Sequence, residues 1–275
     1  MKLDVVVRCR NEMPFTHHTL EALAAQDVET RVFFFDCAST DGSRKAAIDA
    51  GAKVIDVTPT SYRPGHVLNL GMRQTDGDVV VFVNADAIPR RHDALRRLVA
   101  PLHERADVAA SYGRQHARPD ATAHTQLDHR RAFGEEALRV ARGQFFSMAA
   151  SAVRRDAWRM NPFDERLRYS EDVDWTRRMA LIGWRVVYAP SAHFEHSHDY
   201  DLRGQFRRRH GEGAAETAIH TLGSASWWQD GLRPFAGALW RDARAGHLSP
   251  SSVVLRASQA AGFFAGRHAA SARPH

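Results

Sequence analysis

Apolar positions in the first third of the chain gather into four short runs, residues 4–7, 32–35, 53–57 and 79–83. Each is a continuous stretch rich in Val, Ile or Phe. Continuous runs of this length predict strands covered on both faces, as in a parallel sheet flanked by helices. The segments between them carry helix signals. Thr16 is placed to cap a helix running through Leu20, Leu23 and Ala24. Ser39-Thr40-Asp41 precedes a helix over residues 43–50, and Gly51 follows where a helix ends. This alternation predicts an open, wound α/β fold that binds ligands beyond the carboxyl ends of its strands.

The middle is less regular. Residues 103–141, polar and rich in Arg and His, read as a helix and loops over the site. Residues 145–153 read as a strand. Residues 170–182 predict a helix with Val173, Met179 and Ile182 inward, ended by Gly183, and residues 184–188 another strand. Beyond Asp199 the pattern turns helical and aromatic, with Phe206, Trp227, Trp228, Phe235 and Trp240.

Composition narrows the class. Gly and Pro contribute 18 and 11 of 275 residues, which excludes collagen-like and low-complexity chains. No apolar run approaches the roughly 18–20 residues of a membrane span, and the first residues lack the apolar stretch of a secretion signal. Cys9 and Cys37 lie in or beside strand-like runs, as buried free thiols do. The expectation is a soluble cytoplasmic protein. The formal net charge is +6, and residues 201–275 hold ten Arg against five acids. Such a basic region points to an anionic partner: a phosphate, a lipid surface or nucleic acid. Only three of the 38 basic residues are Lys, which with abundant Ala fits a GC-rich genome better than nucleic-acid binding.

Acidic residues stand where strands end. Asp36 follows the second run and opens Asp36-Cys37-Ala38-Ser39-Thr40-Asp41-Gly42-Ser43. A carboxylate there can accept from a nucleobase imide or a ribose; the plainer reading is that Asp36 and Asp41 cap a turn and a helix. Asn84-Ala85-Asp86-Ala87 follows the fourth run, where a carboxylate can hold Mg²⁺ or Mn²⁺ against phosphates, or Asn84 can simply stabilise a turn. Ser170-Glu171-Asp172-Val173-Asp174 sets three acids at a helix start, where the helix dipole alone favours them. One of them could equally act as a general base, and adjacent helical residues diverge by about 100°, so Glu171 and Asp172 should differ in role. His193, His196 and His198 crowd into six residues, a metal or phosphate contact but no dedicated zinc motif. Gly65 and Gly71 would let backbone approach a ligand. Dinucleotide-binding, phosphate-loop and nucleophile-elbow motifs are missing, which disfavours dehydrogenases, nucleotide-hydrolysing ATPases and hydrolases.

The order of these motifs resembles family 2 glycosyltransferases of the GT-A fold, especially the bacterial rhamnosyltransferase-like members. Val5-Val6-Val7-Arg8-Cys9-Arg10-Asn11-Glu12 looks like their first strand and nucleotide loop, and the Asp36–Ser43 segment like their Asp-x-x-Ser-x-Asp-Gly-Ser/Thr turn. Tyr62-Arg63-Pro64-Gly65-His66-Val67-Leu68-Asn69-Leu70-Gly71 is similar to their Asn- and Gly-containing segment. Asn84-Ala85-Asp86 stands where their metal-binding Asp-x-Asp belongs. Phe163-Asp164-Glu165 with Glu171-Asp172 resembles the acceptor-side motif, and His196-Ser197-His198-Asp199-Tyr200 the His-containing end. The resemblance covers about residues 3–210.

The resemblance implies a Rossmann-like open, twisted, mostly parallel sheet with helices on both faces, plus a helical C-terminal extension. The catalytic domain would span residues 1–205, with a nucleotide-sugar half at 1–100 and an acceptor half at 101–205. Residues 206–275 would form the basic, aromatic extension. The implied reaction moves one sugar, with inversion, from a dTDP- or UDP-linked donor to a hydroxyl of a glycan, lipid-linked or small-molecule acceptor, assisted by Mg²⁺ or Mn²⁺. Asp36 would bind the base, with Arg8, Asn11 and Glu12 near ribose or base, and Asp41, Asn69 and Asn84 in the same nucleotide-sugar set. Asp86 would reach the metal, with His196 and His198 completing its shell. Asp172, beside Glu171, would deprotonate the acceptor, and Arg208 and Arg209 would hold the diphosphate. Asn84 departs from the family's acid and would offset less metal charge. Arg209 stands where processive synthases carry Trp, so a polymerase is not implied. The alternative is a non-catalytic sugar-nucleotide-binding or scaffold protein on the same fold. Peripheral membrane contact of the extension and a homodimer are expected partners, and nucleic acid is not.

Overall fold

The computed structural model describes residues 2–134, 145–220 and 222–272. Two compact units emerge. The first comprises Met1–Pro119, His129–Arg166 and Glu171–Ser197; the second comprises Asp120–Asp128, Leu167–Ser170 and His198–His275.

The four apolar runs are strands with adjusted boundaries: β1 (Lys2–Cys9), β2 (Glu29–Asp36), β3 (Lys53–Asp56) and β4 (Val79–Asn84). Four more complete an eight-stranded sheet among the described residues: β5 (Ile88–Pro89), β6 (Val108–His116), β7 (Ala150–Arg154) and β8 (Arg185–Glu195). The order is β3-β2-β1-β4-β7-β6-β8-β5. Strands β3, β2, β1 and β4 pair in parallel, as do β6 and β8, whereas β7 runs against β4 and β6, and β5 against β8.

The α-helices among the described residues are α1 (Phe15–Ala24), α2 (Ser43–Asp49), α3 (Pro64–Gln74), α4 (Ala94–Glu104), α5 (Ala123–Phe133), α6 (Arg155–Met160), α7 (Glu171–Leu181), α8 (Leu202–His220), α9 (Arg233–Arg244) and α10 (Pro250–Ser271). Alternate strand residues feed two cores. Val5, Val7, Phe34, Val81 and Val83 pack with Leu20 and Leu23 of α1 and Leu95 and Leu98 of α4. Val6, Phe33, Phe35, Val80 and Phe82 pack with Leu68 and Met72 of α3 and Trp175 and Met179 of α7. Burial of both faces is why the runs read as unbroken apolar stretches.

Several expectations need correction. Thr16 lies inside α1, not at its cap, buried against Cys9 Sγ at 3.6 Å and Ser43 Oγ at 3.3 Å. Strand β6 falls within the segment read as helix and loops. Its interior Ala109, Ala110 and Ser111 are small and fully buried, and a Cβ on Gly113 would stand 2.7 Å from the Phe194 ring, so close packing replaced the β-branched signal. The rest of that reading, residues 135–141, lies outside the described residues. Strand β7 starts at Ala150; Phe146 and Met148 are buried in the turn before it. Ile182 is exposed, because α7 ends at Leu181 and Gly183 turns the chain at φ 87°; Met179 faces inward as expected, and Trp175 joins it there. Strand β8 runs on past residue 188 to Glu195.

In the second unit α8 packs along α10 through glycines. A Cβ on Gly213 would lie 2.2 Å from Phe263 O, and one on Gly266 2.0 Å from His210 O. Arg256 of α10 is buried between Asp242 and Asp128, bonded to both carboxylates at 2.7–3.1 Å. Among the described residues no helix is long and apolar enough to cross a membrane.

Candidate active site

The parallel strands deliver their acids to one end of the sheet. Beyond β4 the chain turns through Ala85 to Asp86, whose carboxylate is 2% exposed. Asp86 Oδ2 accepts from Arg118 Nη2 at 3.0 Å, and Oδ1 faces His196 Nε2 at 3.6 Å. Gln115 Nε2 donates to Ser147 Oγ, which turns its Oε1 to His196 Nδ1 at 2.8 Å. Nδ1–H therefore donates to Gln115, and Nε2 is turned toward a carboxylate oxygen. Such an oxygen–nitrogen pair, its imidazole fixed by an amide, fits a divalent ion such as Mn²⁺. His198 follows two residues later, the first residue of the second unit. His193 points elsewhere: its ring stacks on His116, with Nδ1 3.0 Å from His116 Nε2.

Asn84 is not turned to that pair. Its Oδ1 accepts from Arg8 Nη2 at 2.8 Å, and the same guanidinium reaches Met148 O at 3.2 Å. Asn84, expected in the nucleotide-sugar set, thus spends a side-chain oxygen lone pair on Arg8. Arg8 also influences the acids at the start of α7. Burial pushes the Glu171 carboxyl up, against the pull of Arg8. Burial and the Glu171 charge push Asp172 up to about 7, again opposed by Arg8. Asp172 Oδ1 accepts from Val173 N at 2.8 Å, and Ser170, at φ 60°, makes the turn into the helix.

On the nucleotide side, Asp36 closes β2, buried, accepting from Ser39 N at 3.3 Å and Arg44 Nη1 at 3.4 Å. Glu12 is pushed up to about 7 by burial and by Asp86, with Arg118 opposing. Other expected ligand-binding groups are occupied by the fold. Asn11 sits at φ 57° with Oδ1 accepting from Thr40 N at 2.7 Å. Asp41 accepts from Met13 N at 2.8 Å and Ser43 N at 3.0 Å; burial opposes its ionisation, but these bonds hold its carboxyl below the usual range. Asn69, buried in α3, donates to Phe163 O and Glu165 Oε1 and accepts from Trp158 Nε1 and Phe163 N. That set uses all four of its hydrogen-bonding positions, so Asn69 is a clamp between α3 and the Phe163–Glu165 turn. Gly65 admits the Asp164 carbonyl and Gly71 the Val6 and Phe82 side chains, not a ligand.

Arg208 and Arg209, expected on the diphosphate, both bond Glu212 within α8, Arg208 also lying over Tyr200 and Arg209 over Phe263. Sequence reading missed Arg118 and Gln115, two residues that arrange Asp86 and His196. Arg118 donates to Asp86 O at 3.0 Å and to Ser197 O, and its guanidinium lies 3.7 Å from the Phe15 ring centroid. The one available signal was that Gln115 lies near the end of an unrecognised strand and Arg118 just beyond it.

Comparison with known proteins adds the following. A family model described as glycosyltransferase like family 2 matches residues 2–213. The O-antigen chain rhamnosyltransferase WbaN of Salmonella anatum is 28% identical over 192 residues, 65% of this chain and 60% of that protein. RfbN of Salmonella typhimurium, also an O-antigen chain rhamnosyltransferase, is 26% identical over 223 residues, 76% of this chain and 70% of that protein. The chain thus spans about three fifths of WbaN. A mannosyltransferase from Pyrobaculum calidifontis, solved with GDP-Man and Mn²⁺, superposes with a TM-score of 0.61 at 21% identity, covering 94% of this chain and 73% of that one. Glucosyl-3-phosphoglycerate synthase from Mycobacterium tuberculosis, solved with Mn²⁺, UDP and glucosyl-3-phosphoglycerate, gives 0.58 at 18% identity, covering 82% and 81%. At such identities these structures establish the shared fold, the GT-A fold expected from the motifs.

Proposed function

Because the chain belongs to the glycosyltransferase-like family 2, we propose that it moves one sugar, with inversion, from a nucleoside-diphosphate-sugar to an acceptor hydroxyl. The observation that carries this reading is Arg8. Its guanidinium bonds Asn84 of the Asn84-Ala85-Asp86 turn and its charge acts on Glu171 and Asp172. A leaving-group side and a base side thus meet at one arginine.

In this reading Asp172 takes the proton of the acceptor hydroxyl as its oxygen attacks the anomeric carbon. Its raised proton affinity suits that task near neutral pH. Glu171, also raised, stays beside it as the partner that keeps that affinity high. Asp86 and His196 would hold a divalent metal, Mn²⁺ or Mg²⁺. When bound, the metal supplies positive charge against the departing diphosphate. Asp36 accepts from the base, uracil or thymine, and Glu12 lies on the ribose side. WbaN and RfbN, both O-antigen chain rhamnosyltransferases, favour rhamnosyl transfer to a growing glycan chain. The two buried free thiols suit a reducing cytoplasm.

The acceptor reading extends to lipid-linked glycans at an anionic membrane face. In the second unit Trp227, Trp228 and Trp240 are each more than half exposed, and Arg244 lies over Trp240. Asp230 and Asp242, the acids of residues 221–275, are engaged by Arg267 and Arg256. Exposed Trp beside Arg is the chemistry of an interfacial contact. Co-sedimentation with phosphatidylglycerol vesicles, weakened in a Trp227→Ala, Trp228→Ala variant, is the expected result; no binding by the intact chain rejects the membrane contact.

The transferase reading is tested by thermal stability against UDP, dTDP, GDP and CMP, each with and without Mn²⁺. Ligand binding raises the apparent melting temperature by mass action. A metal-dependent rise for UDP or dTDP, lost in Asp36→Ala and Asp86→Ala, is expected. Release of nucleoside diphosphate from the matching sugar nucleotide then separates an enzyme from a scaffold that only binds.

A further inference from the structure

Arg118 stands out because one of its terminal nitrogens bonds the candidate metal ligand twice. It is 9% exposed. Nη2 bonds both the side-chain Oδ2 and the main-chain oxygen of Asp86 at 3.0 Å, Nη1 bonds Ser197 O, and its own N–H donates to Ser197 Oγ at 3.0 Å. The Phe15 ring closes the guanidinium's face at 3.7 Å. An arginine fixed at this many points cannot swing away when a cation arrives. Two consequences follow from geometry and charge. Asp86 is held so that Oδ1, not Oδ2, is turned to His196 Nε2. A permanent positive charge stands against the same carboxylate, in a buried place where charges interact strongly. The neighbouring Asn84 is neutral and bonded to Arg8, so it does not add back a negative charge.

We propose that Arg118 is a positioning residue that orients Asp86 and sets the order of assembly, keeping metal affinity low until a nucleoside diphosphate brings its own negative charge. This rests on the transferase reading for the nucleotide, but not for the effect of Arg118 on the metal alone. The diphosphate would gain from the same guanidinium charge, so nucleotide and metal would bind with strong mutual dependence. A bare carboxylate in place of the Arg118–Asp86 pair would instead collect metal by itself.

The test is Mn²⁺ binding to the full chain, followed by electron paramagnetic resonance, with Mn²⁺ alone and with UDP or dTDP. In the unaltered protein the nucleotide is expected to tighten Mn²⁺ binding about tenfold or more. Arg118→Gln, which removes the charge, is expected to bind Mn²⁺ alone about tenfold more tightly and to lose most of the nucleotide dependence. Arg118→Lys keeps the charge and is expected to stay within about threefold of the parent for Mn²⁺ alone. Equal or weaker Mn²⁺ binding by an Arg118→Gln protein that melts like the parent overturns the proposal, as that is what a merely structural arginine would give. Should Arg118→Gln not fold, tight Mn²⁺ binding by the unaltered chain without nucleotide, or by Arg118→Lys, overturns it equally. Failure of every nucleotide to bind, with or without Mn²⁺, counts against the transferase reading; the Mn²⁺-alone comparison still decides the role of Arg118.

Discussion

Arg8 Nη2 donates to Asn84 Oδ1 at 2.8 Å, joining the carboxyl ends of β1 and β4 side by side. The same guanidinium counters the raised proton affinity of Glu171 and, after the Val173 main-chain bond, that of Asp172. Removing its charge while keeping a polar side chain, in Arg8→Gln, should let Asp172 rise further. The pH–rate profile of kcat should then shift its acidic limb toward alkaline pH by about one unit, with activity at pH 7 falling about fivefold. An unshifted limb would detach Arg8 from the base.

Asp172 itself gives a prediction with two signs. Its folded-state pKa, about 7, lies above the ordinary 3.8, so the folded chain binds more protons than the unfolded chain between those values. Stability therefore falls as pH rises through that window, and the full penalty is present above it. Asp172→Asn should melt higher than the parent at pH 8 and alike at pH 4, while its kcat falls about 10²–10⁴-fold. Denaturant unfolding at the two pH values, alongside turnover, checks both. Loss of stability and loss of activity together would mark Asp172 as structural.

How the sequence announced these residues depends on where their partners come from. The strands β1 to β4 announced themselves because both faces of each are buried, and Asp36 and Asp86 were visible because they stand immediately after such runs. Strand β6 was hidden by the small residues Ala109, Ala110, Ser111 and Gly113; the Phe194 ring leaves no room for a Cβ at Gly113, and Ser111 bonds the backbone of Leu98. With β6 unseen, Gln115 and Arg118 had no frame, although they lie close to His196 and Asp86 in space and far from Asp86 in sequence. Asn69 was visible as a motif residue, but its partners Trp158 and Phe163 are about 90 positions away, so no local pattern could distinguish a clamp from a ligand.

Gln115 should act on the metal through His196. Its Oε1 holds the Nδ1 proton, which fixes the ring and keeps Nε2 toward Asp86. Gln115→Leu removes that acceptor at similar volume. Mn²⁺ affinity measured with nucleotide present should drop about 10–100-fold, with little change in melting temperature. Unaltered affinity would show that His196 is not oriented for a metal.

Asn69 should matter to folding rather than to donor binding. Asn69→Ala strands Trp158 Nε1 and the Phe163 N–H and C=O in a buried place. Unsatisfied groups cost about 1–3 kcal/mol each, and with partial rearrangement a total loss of about 3 kcal/mol is expected. At a temperature where the variant is still folded, its KM for the sugar nucleotide should match the parent's. A raised KM with unaltered stability would return Asn69 to the donor site.

Arg256 gives the second unit its own test. Asp242 is fully buried, and Arg256 bonds both of its oxygens at 2.8–2.9 Å while reaching Asp128 at 2.7 Å. Taking two charges out of water is costly, and the pair survives because each satisfies the other. Arg256→Ala leaves Asp242 buried without its partner and should destabilise the protein by about 3–5 kcal/mol. Asp242→Leu made in an Arg256→Met background removes both charges at similar volume and should recover most of that loss. The double-mutant cycle, read by urea unfolding, separates the pair from the packing: recovery identifies an unpaired charge as the damage. No recovery would instead make the contact of α9 with α10, or the bond to Asp128, the source of stability.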